Sequence, residues 1–304
     1  MDIHSGKELY RTVSDYFVQT LCAKAQKIPL SLTQRCPLTP GCIYCNNAAF
    51  SPGYHLEGGK DIRAQIERGL EFFRGHESPI KLAYFQSFTP TFAPLQEVIG
   101  AFEQALGHPA IGGIVVATRP DCLSGALLDY FASRFGSAAP EPHPYLLVEL
   151  GIESTLDSTL KRINRGHDFA CSKKAALELA ARGIDVGAHL ILGLPGEDEK
   201  DFLSHADALS GLPIKTLKLH QLQIIKGTAL AGEWERDPGS VKLFSAAEYA
   251  RLVASFILRL RPDIALDRFV SEAPPSLLLA PRWGLKADQV REMINNEIRF
   301  QKIG

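Results

Sequence analysis

The chain has 304 residues, a formal net charge of −1 and an apolar content of 45%. This length can bury a large core, and the balance of apolar and charged residues is typical of a soluble globular protein and excludes a disordered one. The small net charge argues against strong nonspecific binding to nucleic-acid phosphates, although it is compatible with a local basic face.

The first residues, MDIHSGKELYRTVSDYF, are charged and aromatic and contain no apolar stretch of the secretory type. No run approaches the roughly 18 uninterrupted apolar residues of a spanning helix. Three of the six cysteines are bunched at Cys36, Cys42 and Cys45 and three are scattered, unlike the disulfide framework of a small secreted domain. The sequence therefore predicts a cytoplasmic protein with reduced thiols and no membrane partner.

Short apolar runs alternate with amphipathic stretches along the first 225 residues. Strands are predicted over 27–32, 80–85, 113–117, 145–150, 186–192 and 216–225. Helices are predicted between most of them, over 61–73, 94–106, 123–135, 172–182 and 198–209. Runs rich in Val, Ile and Leu, bounded by Gly, Pro and Asp, indicate parallel strands buried on both faces. Six such units predict an α/β fold, a partial (β/α)6 barrel of the triosephosphate-isomerase type.

Two segments depart from this alternation. The proline-rich segment 138–144 is predicted to be a surface loop, because the strand–helix alternation resumes directly after it. A boundary near 231–239 is followed by amphipathic helices predicted over 246–260 and 286–300. We therefore expect a barrel over 1–230 and a small helical C-terminal cap over 231–304, packed on the barrel.

The segment RCPLTPGCIYCNN places Cys36, Cys42 and Cys45 in a C-x5-C-x2-C pattern directly after the first predicted strand. Thiolates two residues apart can bind one metal centre, because the turn between them directs both sulfurs to the same side. Three thiolates can bind three irons of a 4Fe–4S cluster and leave the fourth iron open, whereas most clusters that only transfer electrons use four cysteines. No fourth cysteine lies nearby in the sequence.

Zinc is the main alternative for this segment. A structural Cys3His site could use the same cysteines together with His55, because closely spaced cysteine pairs serve both metals. The protein would then be a zinc-stabilised nucleic-acid-binding module without catalysis; a redox pair without metal is a third alternative. A loop at the C-terminal end of a barrel strand, where such folds carry their chemistry, favours the open cluster.

The stretch CPLTPGCIYCNNAAF resembles the cluster loop of the radical S-adenosylmethionine (SAM) superfamily, and most of all its YhcC-type branch, which is similar to the radical domain of the Elongator catalytic subunit. The resemblance extends from Ile28 to Trp283. The commonest spacing in the superfamily is C-x3-C-x2-C, and this branch usually has a longer first loop than the five residues found here. The resemblance implies a 4Fe–4S cluster that binds SAM and cleaves it reductively to a 5′-deoxyadenosyl radical, which abstracts hydrogen from a substrate.

The resemblance also implies where the first part of SAM is bound. Tyr44 holds the place of an aromatic residue that packs against the adenine. Gln86 and Ser87 follow the second strand, where the superfamily often has a Gly-Gly-Glu that binds the methionine ammonium group. The glutamate is absent here, so only the position is carried over, and a plain polar turn is the alternative.

Three further cofactor contacts are implied. By the resemblance Glu149 faces the ammonium group or the ribose, with a charge on the surface as the alternative; a carboxylate among apolar neighbours is costly to bury unpaired. Arg165, within the Asn-Arg-Gly-His of 164–167, is expected to bind the methionine carboxylate, with a solvated arginine at a helix end as the alternative. Leu192 belongs to an apolar strand end that supports the adenine.

Polar residues at other strand ends are candidate substrate contacts. Arg119 and Asp121 follow the third strand and either contact the substrate or brace each other. His189 on the fifth strand is equally compatible with a core histidine. Lys218 and His220 share one face of the sixth strand if it is extended, toward the lumen or toward solvent. In the lumen they would suit an anionic or hydrogen-bonding substrate.

The resemblance implies two kinds of partner. Reduction of the cluster requires a one-electron donor of the flavodoxin or ferredoxin type. Kinship with the Elongator radical domain indicates transfer RNA as a substrate. Lys and Arg residues occur through the C-terminal region, but they form no dense basic stripe, so a small molecule or a peptide is the alternative substrate.

Overall fold

The structure is a computed structural model that describes residues 9–32, 35–49, 61–75, 78–271 and 273–303. Its centre is a seven-stranded sheet in which neighbouring strands run parallel. In spatial order the strands are β1 (Ala25–Leu30), β2 (Ile80–Phe85), β3 (Ile111–Thr118), β4 (Tyr145–Glu153), β5 (Asp185–Leu192), β6 (Thr216–Gln221) and β8 (Ala265–Leu266). The partial barrel predicted from the sequence is confirmed, and it has one short strand more than the six expected.

Helices connect the strands, and most of them cover the outside of the sheet. They are α1 (Val13–Leu21), α2 (Ile62–Phe72), α3 (Leu95–Leu106), α4 (Gly125–Phe135), α5 (Asp157–Arg162), α6 (Phe169–Ala180), α7 (Glu199–Ser210), α8 (Ala229–Arg236), α9 (Ala246–Arg259) and α10 (Ala287–Ile303). Side-chain caps fix several starts: Asp198 and Ser245 each form a capping box at the first turn of α7 and α9. Such a cap satisfies backbone N–H groups that the helix itself leaves free.

The side chains of the strands alternate between two cores. Ala83, Phe85, Val116 and Leu150 face the helices in one large apolar cluster. Leu82, Tyr84, Val115 and Leu147 face the inside of the sheet, where Tyr16 and Phe17 of α1 pack against them. Because successive residues of a strand point to opposite faces, each strand contributes to both layers. The helix α1 therefore closes the lower end of the lumen.

The sheet curls until its first and last strands approach each other. Lys27 on β1 donates hydrogen bonds to Glu149 on β4, at 2.7 Å, and to Asp267, the residue after β8, at 2.6 Å. A bridge between Thr12, just before α1, and Leu266 on β8 adds to this closure. The ends of the strands that carry the loops consequently surround one common space.

The C-terminal region is interleaved with the barrel. It supplies β8 to the main sheet, and a second small sheet pairs β7 (Ile224–Ile225) with β9 (Leu278–Ala280) in antiparallel fashion. The predicted strand over 216–225 is thus two strands, since the chain leaves the parallel sheet after Gln221. The helices α9 and α10 pack on each other, and α9 packs on α7. The boundary at 230 stays a prediction.

No helix among the described residues has both the length and the apolar composition that crossing a membrane requires.

Candidate functional site

A cavity of about 1190 Å³ opens at the C-terminal ends of the strands. Every strand from β2 to β6 contributes to its wall, either directly or through the residues that follow it, and so do the segments after β1 and β8. The wall includes Cys36, Cys42, Tyr44, Cys45, Gln86, Arg119, Gly151, Glu153, Arg165, His189, Ile191, Lys218, His220, Gln223, Arg268 and Ser271. Most of the predicted site residues therefore meet in one space.

The three bunched cysteines all line this cavity. The backbone N–H of Cys45 donates to the carbonyl of Cys42 at 3.0 Å, which is the turn expected between two metal-binding thiols. Nη1 of Arg165 donates to Sγ of Cys42, and Nδ2 of Asn47 donates to Sγ of Cys45, each at 3.6 Å. Three thiols in one wall, two of them with N–H donors, are a donor set that suits an iron–sulfur cluster, since hydrogen bonds to sulfur help to set the potential.

The zinc alternative depends on a fourth ligand, and its candidate, His55, lies outside the described residues. Within the part of the chain that the structure describes, no three His, Cys, Asp or Glu side chains, the three cysteines included, are already gathered around one metal position. The choice between zinc and a cluster therefore rests on the position of the loop at the strand ends.

The cysteine loop is held in place by the segment between α5 and α6. Asn164 donates from Nδ2 to the carbonyls of Pro40 and Gly41, at 2.8 and 3.0 Å. Ile43 donates its backbone N–H to the carbonyl of Ile163 at 3.1 Å. The resemblance draws attention to this segment because of Arg165, but the supporting role of Asn164 is visible only in the structure.

Arg165 is buried between the cysteine loop and the end of β4. Its side chain forms an ion pair with Glu153 at 3.5 Å and donates to the carbonyl of Gly151. The residue is 8% exposed, so the alternative of a solvated arginine is wrong. Nε of Arg165 is buried and has no hydrogen-bond partner among the described residues.

Arg119 and Asp121 brace each other, as one of the two alternatives predicts. Nε and Nη2 of Arg119 donate to the two carboxylate oxygens of Asp121, at 2.9 and 2.7 Å. Nη2 of Arg119 also donates to the carbonyl of Arg165 at 2.8 Å. Arg119 still lines the cavity, and its Nη1 is buried with no partner in the described part of the chain.

Glu149 lies at the centre of a buried ionic cluster below the cavity. Its carboxylate binds Lys27, Tyr84, Lys218 and His189 at 2.7 to 3.0 Å. Four donors fill the acceptor positions that a carboxylate offers, and Glu149 is not among the residues that line the cavity. The predicted contact of Glu149 with the cofactor stays a prediction, and the geometry favours a supporting role.

The charges of this cluster balance. Burial opposes ionisation of Glu149, but the ammonium groups of Lys218 and Lys27 outweigh it and hold the pKa of Glu149 well below its usual range. Lys218 also lies 3.4 Å from Asp267. Burial, together with Lys218, lowers the pKa of His189, so this histidine is neutral near pH 7. The sequence offers no sign of this pairing, because Lys27 and Asp267 are far apart in the chain.

The fifth and sixth strands present polar residues to the cavity at alternate positions. Lys218 and His220 line it together, as the extended sixth strand predicts, and so does His189. Leu192 differs from the prediction: it lies in the apolar core beneath the helices, while Ile191 lines the cavity. The reason is the strand alternation, which places Ile191 on the same face as His189.

Of the two predicted contacts after β2, one lines the cavity and the other does not. Gln86 lines the cavity, whereas Ser87 is buried and does not belong to its wall. Tyr44 lines the cavity and packs partly on an apolar cluster that includes Ile191 and Leu222. Tyr44 thus lies between this apolar cluster and the cavity.

Comparison with known families agrees with this architecture. Residues 30–209 match the model of the radical SAM superfamily, and residues 214–299 match the model of the radical SAM C-terminal domain. Protein YtqA of Bacillus subtilis is 34% identical over 95% of this chain and 89% of its own length. Protein YhcC of Escherichia coli is 33% identical over 80% of this chain and 75% of its own length.

This chain is also similar to two more distant relatives. The tRNA uridine(34) acetyltransferase of Dehalococcoides mccartyi is 27% identical over 62% of this chain and 39% of its own length. The archaeal Elp3 structure of Methanocaldococcus infernus has the same fold, with a TM-score of 0.67 and 18% identity over 92% of this chain and 64% of the other. The chain therefore belongs to the radical SAM superfamily of enzymes, whose cofactors are SAM and a 4Fe–4S cluster.

Proposed function

We propose that this enzyme binds its cluster through Cys36, Cys42 and Cys45, cleaves SAM reductively and acts on a substrate held in the cavity at the strand ends. The observation that supports this assignment is that these three thiols share one cavity wall with the buried Arg165. A cluster with three protein ligands keeps one iron open for SAM. When bound, the two cofactors supply a carbon-centred radical that removes a hydrogen atom from the substrate.

We assign the methionine carboxylate of SAM to the guanidinium groups of Arg119 and Arg165. Each leaves one N–H buried without a partner among the described residues, Nη1 of Arg119 and Nε of Arg165. Buried donors are nearly always satisfied, so these two indicate a missing acceptor. A carboxylate is the acceptor that guanidinium groups bind best. Asp121 and Glu153 hold the two arginines in place.

Hydrogen bonds hold the polar residues of the cavity floor in place. Lys218 donates to the hydroxyl of Tyr84 at 2.8 Å and to Glu149 at 3.0 Å. Beneath them lie the apolar side chains of the inner core, among them Leu82 and Leu147. A floor fixed in this way restricts the positions that a bound substrate can take, which suits chemistry that depends on orientation.

A nucleoside of transfer RNA is the proposed substrate. This proposal is supported by the similarity of the chain to a tRNA uridine(34) acetyltransferase; the matched region covers 39% of that protein. The proposed reductant is a cytoplasmic one-electron donor of the flavodoxin or ferredoxin type, and the enzyme itself is proposed to act in the cytoplasm.

Anaerobic turnover tests the proposed function. The reconstituted protein is incubated with SAM and dithionite, and 5′-deoxyadenosine and methionine are quantified. We expect the two products in equal amounts from the wild type and neither from the Cys42→Ala variant. A wild type with full cluster content that forms no 5′-deoxyadenosine contradicts the proposal.

A further inference from the structure

The charged residues of the cavity wall are mostly cationic. Among the described residues that line it, these are Arg35, Arg119, Arg165, Lys218, Arg268 and Glu153. Arg119 is paired with Asp121, Arg165 with Glu153, and Lys218 with Glu149 and Asp267. Within the described ranges, no carboxylate pairs with the side chain of Arg35 or Arg268. Neither guanidinium group forms an ion pair among the described residues, although Arg268 lies close enough to Asp267 to help lower the pKa of that carboxyl.

Hydrogen bonds hold the backbone around Arg268 in place. Its carbonyl accepts the backbone N–H of Leu219 on β6 at 2.9 Å. Three residues further on, the Ser271 carbonyl accepts from Gln221 at 3.1 Å and from Gln223 at 2.8 Å, and the Ser271 N–H donates to Gln221 at 2.7 Å. The side chain of Arg268 is exposed and reaches the cavity from this anchored segment.

A second polar side chain of the same cavity wall has a buried atom without a partner among the described residues. Gln223 lines the cavity and is 7% exposed, and its Nε2 is used by Ser271. Its Oε1 is buried and has no partner in the described part of the chain. A buried amide oxygen without a donor is costly, so this atom indicates a ligand that brings an N–H or O–H. We call Lys218, His220, Gln223, Arg268 and Ser271 the β6–β8 rim.

We propose that the β6–β8 rim is the substrate subsite, and that it binds an anionic group of the substrate, a carboxylate or a phosphate, through Arg268 while Gln223 accepts a hydrogen bond from the same molecule. The identification as a substrate subsite rests on the proposed function; the anion site itself does not. SAM does not account for Arg268, because its single carboxylate is assigned to the other two arginines.

The neighbours of Arg268 suit such a ligand. Burial, with His189 and Arg268 nearby, holds the pKa of His220 well below its usual range, so His220 is neutral near pH 7. The positive charge of Lys218 is paired with the carboxylates of Glu149 and Asp267 beneath the cavity. Lys27, Lys218 and Arg268 thus carry three positive charges against the two negative charges of Glu149 and Asp267. One positive charge is unbalanced, and Arg268 is the exposed member of this group. In a partly enclosed cavity a charge acts more strongly on an anion than it does in open water.

Anion titration tests this inference. The anaerobically reconstituted protein is titrated by calorimetry with inorganic phosphate and, separately, with acetate, both with and without saturating SAM. The variants are Arg268→Gln, Arg268→Lys and, as a matched control, Arg236→Gln, which removes the same charge from the exposed end of α8 outside the cavity. Unfolding temperatures confirm that the variants are folded.

We expect at least one probe to bind, with SAM present, and its Kd to rise about tenfold in Arg268→Gln, as loss of one charge-assisted contact predicts. Arg268→Lys should bind with intermediate affinity, and Arg236→Gln should bind like the wild type. Tighter phosphate binding indicates a phosphorylated substrate, and tighter acetate binding a carboxylate. Equal binding by the wild type and Arg268→Gln overturns the inference, as does displacement of the anion by SAM.

The outcomes separate the two proposals. A wild type that binds an anion through Arg268 but forms no 5′-deoxyadenosine refutes the proposed function and leaves the anion site standing. A wild type that forms 5′-deoxyadenosine but binds neither probe refutes the anion site alone.

Discussion

Gly151 has no side chain, and the guanidinium group of Arg165 occupies the space where a Cβ would lie. A Cβ at position 151 would lie 2.5 Å from Nη2 of Arg165 and 2.8 Å from Oε1 of Glu153. In Gly151→Ala the guanidinium must move away from the end of β4, and we expect the Kd for SAM to rise about tenfold, the cost of one charge-assisted hydrogen bond. Equilibrium binding to the reconstituted protein measures this change.

Gly232 provides the control for that substitution. It lies inside α8, and a Cβ there would meet nothing within 4 Å. Gly232→Ala should leave the affinity for SAM unchanged and stabilise the fold by about 0.5–1 kcal/mol. If Gly151→Ala binds SAM as tightly as Gly232→Ala does, Arg165 is not a contact of the cofactor.

Glu149 should make stability depend on pH. Its pKa is depressed in the folded state by Lys218 and Lys27, so its stabilisation is fully present above the unfolded pKa of about 4.3 and is lost as the pH falls through the folded value. Near pH 7, Glu149→Gln leaves Asp267 as the one carboxylate that pairs with both Lys27 and Lys218 among the described residues. We expect the free energy of unfolding to fall by about 3–5 kcal/mol. Urea unfolding measures it.

The difference between the wild type and Glu149→Gln should shrink as the pH is lowered below about 4.3. Glu235→Gln, an exposed change on α8, should alter stability by less than about 0.5 kcal/mol. A difference for Glu149→Gln that stays constant over this pH range would show that its cost does not come from the ion pairs.

Residue types and strand periodicity predicted much of this site. Lys218 and His220 share the cavity face because side chains alternate along an extended strand. The same rule, applied to His189, would have selected Ile191 instead of Leu192. The contact of Glu149 with Lys27 could not be predicted, because only the curl of the sheet brings Lys27 close to both Glu149 and Asp267.

At the scale of elements, the segment between α5 and α6 is a clamp on the cysteine loop. Asn164 has a φ of +56°, a conformation that asparagine tolerates, and it donates to two carbonyls of the loop. Asn164→Gly keeps that backbone conformation and removes both hydrogen bonds. We expect the cluster of this variant to be lost faster in air than that of the wild type, as its visible absorbance will show, with little change in the unfolding temperature.

The matched variant for this clamp is Asn46→Ala. It removes a hydrogen bond of 2.9 Å to the carbonyl of Lys226, at the other end of the loop. Because this end of the loop also loses support, the cluster of Asn46→Ala should decay faster than that of the wild type. Decay of Asn164→Gly at the wild-type rate would contradict a clamping role.

The elements that the sequence did not predict are short or isolated. The strand β8 has only two residues, Ala265–Leu266, too few for a periodic pattern. The helix α1 carries a capping box of Thr12 and Asp15, a signal that was present in the sequence. Its packing beneath the lumen follows from the curl of the sheet and could not be predicted from that signal.

At the scale of the whole molecule, the barrel and the C-terminal region share one core. Tyr249 and Phe256 of α9 and Ile294 and Ile298 of α10 are fully buried in the cluster that covers the sheet. Each such side chain contributes about 1.5–3 kcal/mol on burial. We therefore expect residues 1–230 alone to be insoluble or unfolded, and the full chain to unfold in one calorimetric transition. Two separate transitions would instead indicate an independent cap.

Metal and sulfide analysis of protein handled without air shows whether the three cysteines bind a 4Fe–4S cluster. We expect about four irons and about four sulfides per chain. Both should be lost when Cys36, Cys42 or Cys45 is replaced by alanine in a variant that is still folded. One zinc per chain and no iron would show that the cysteines bind zinc instead.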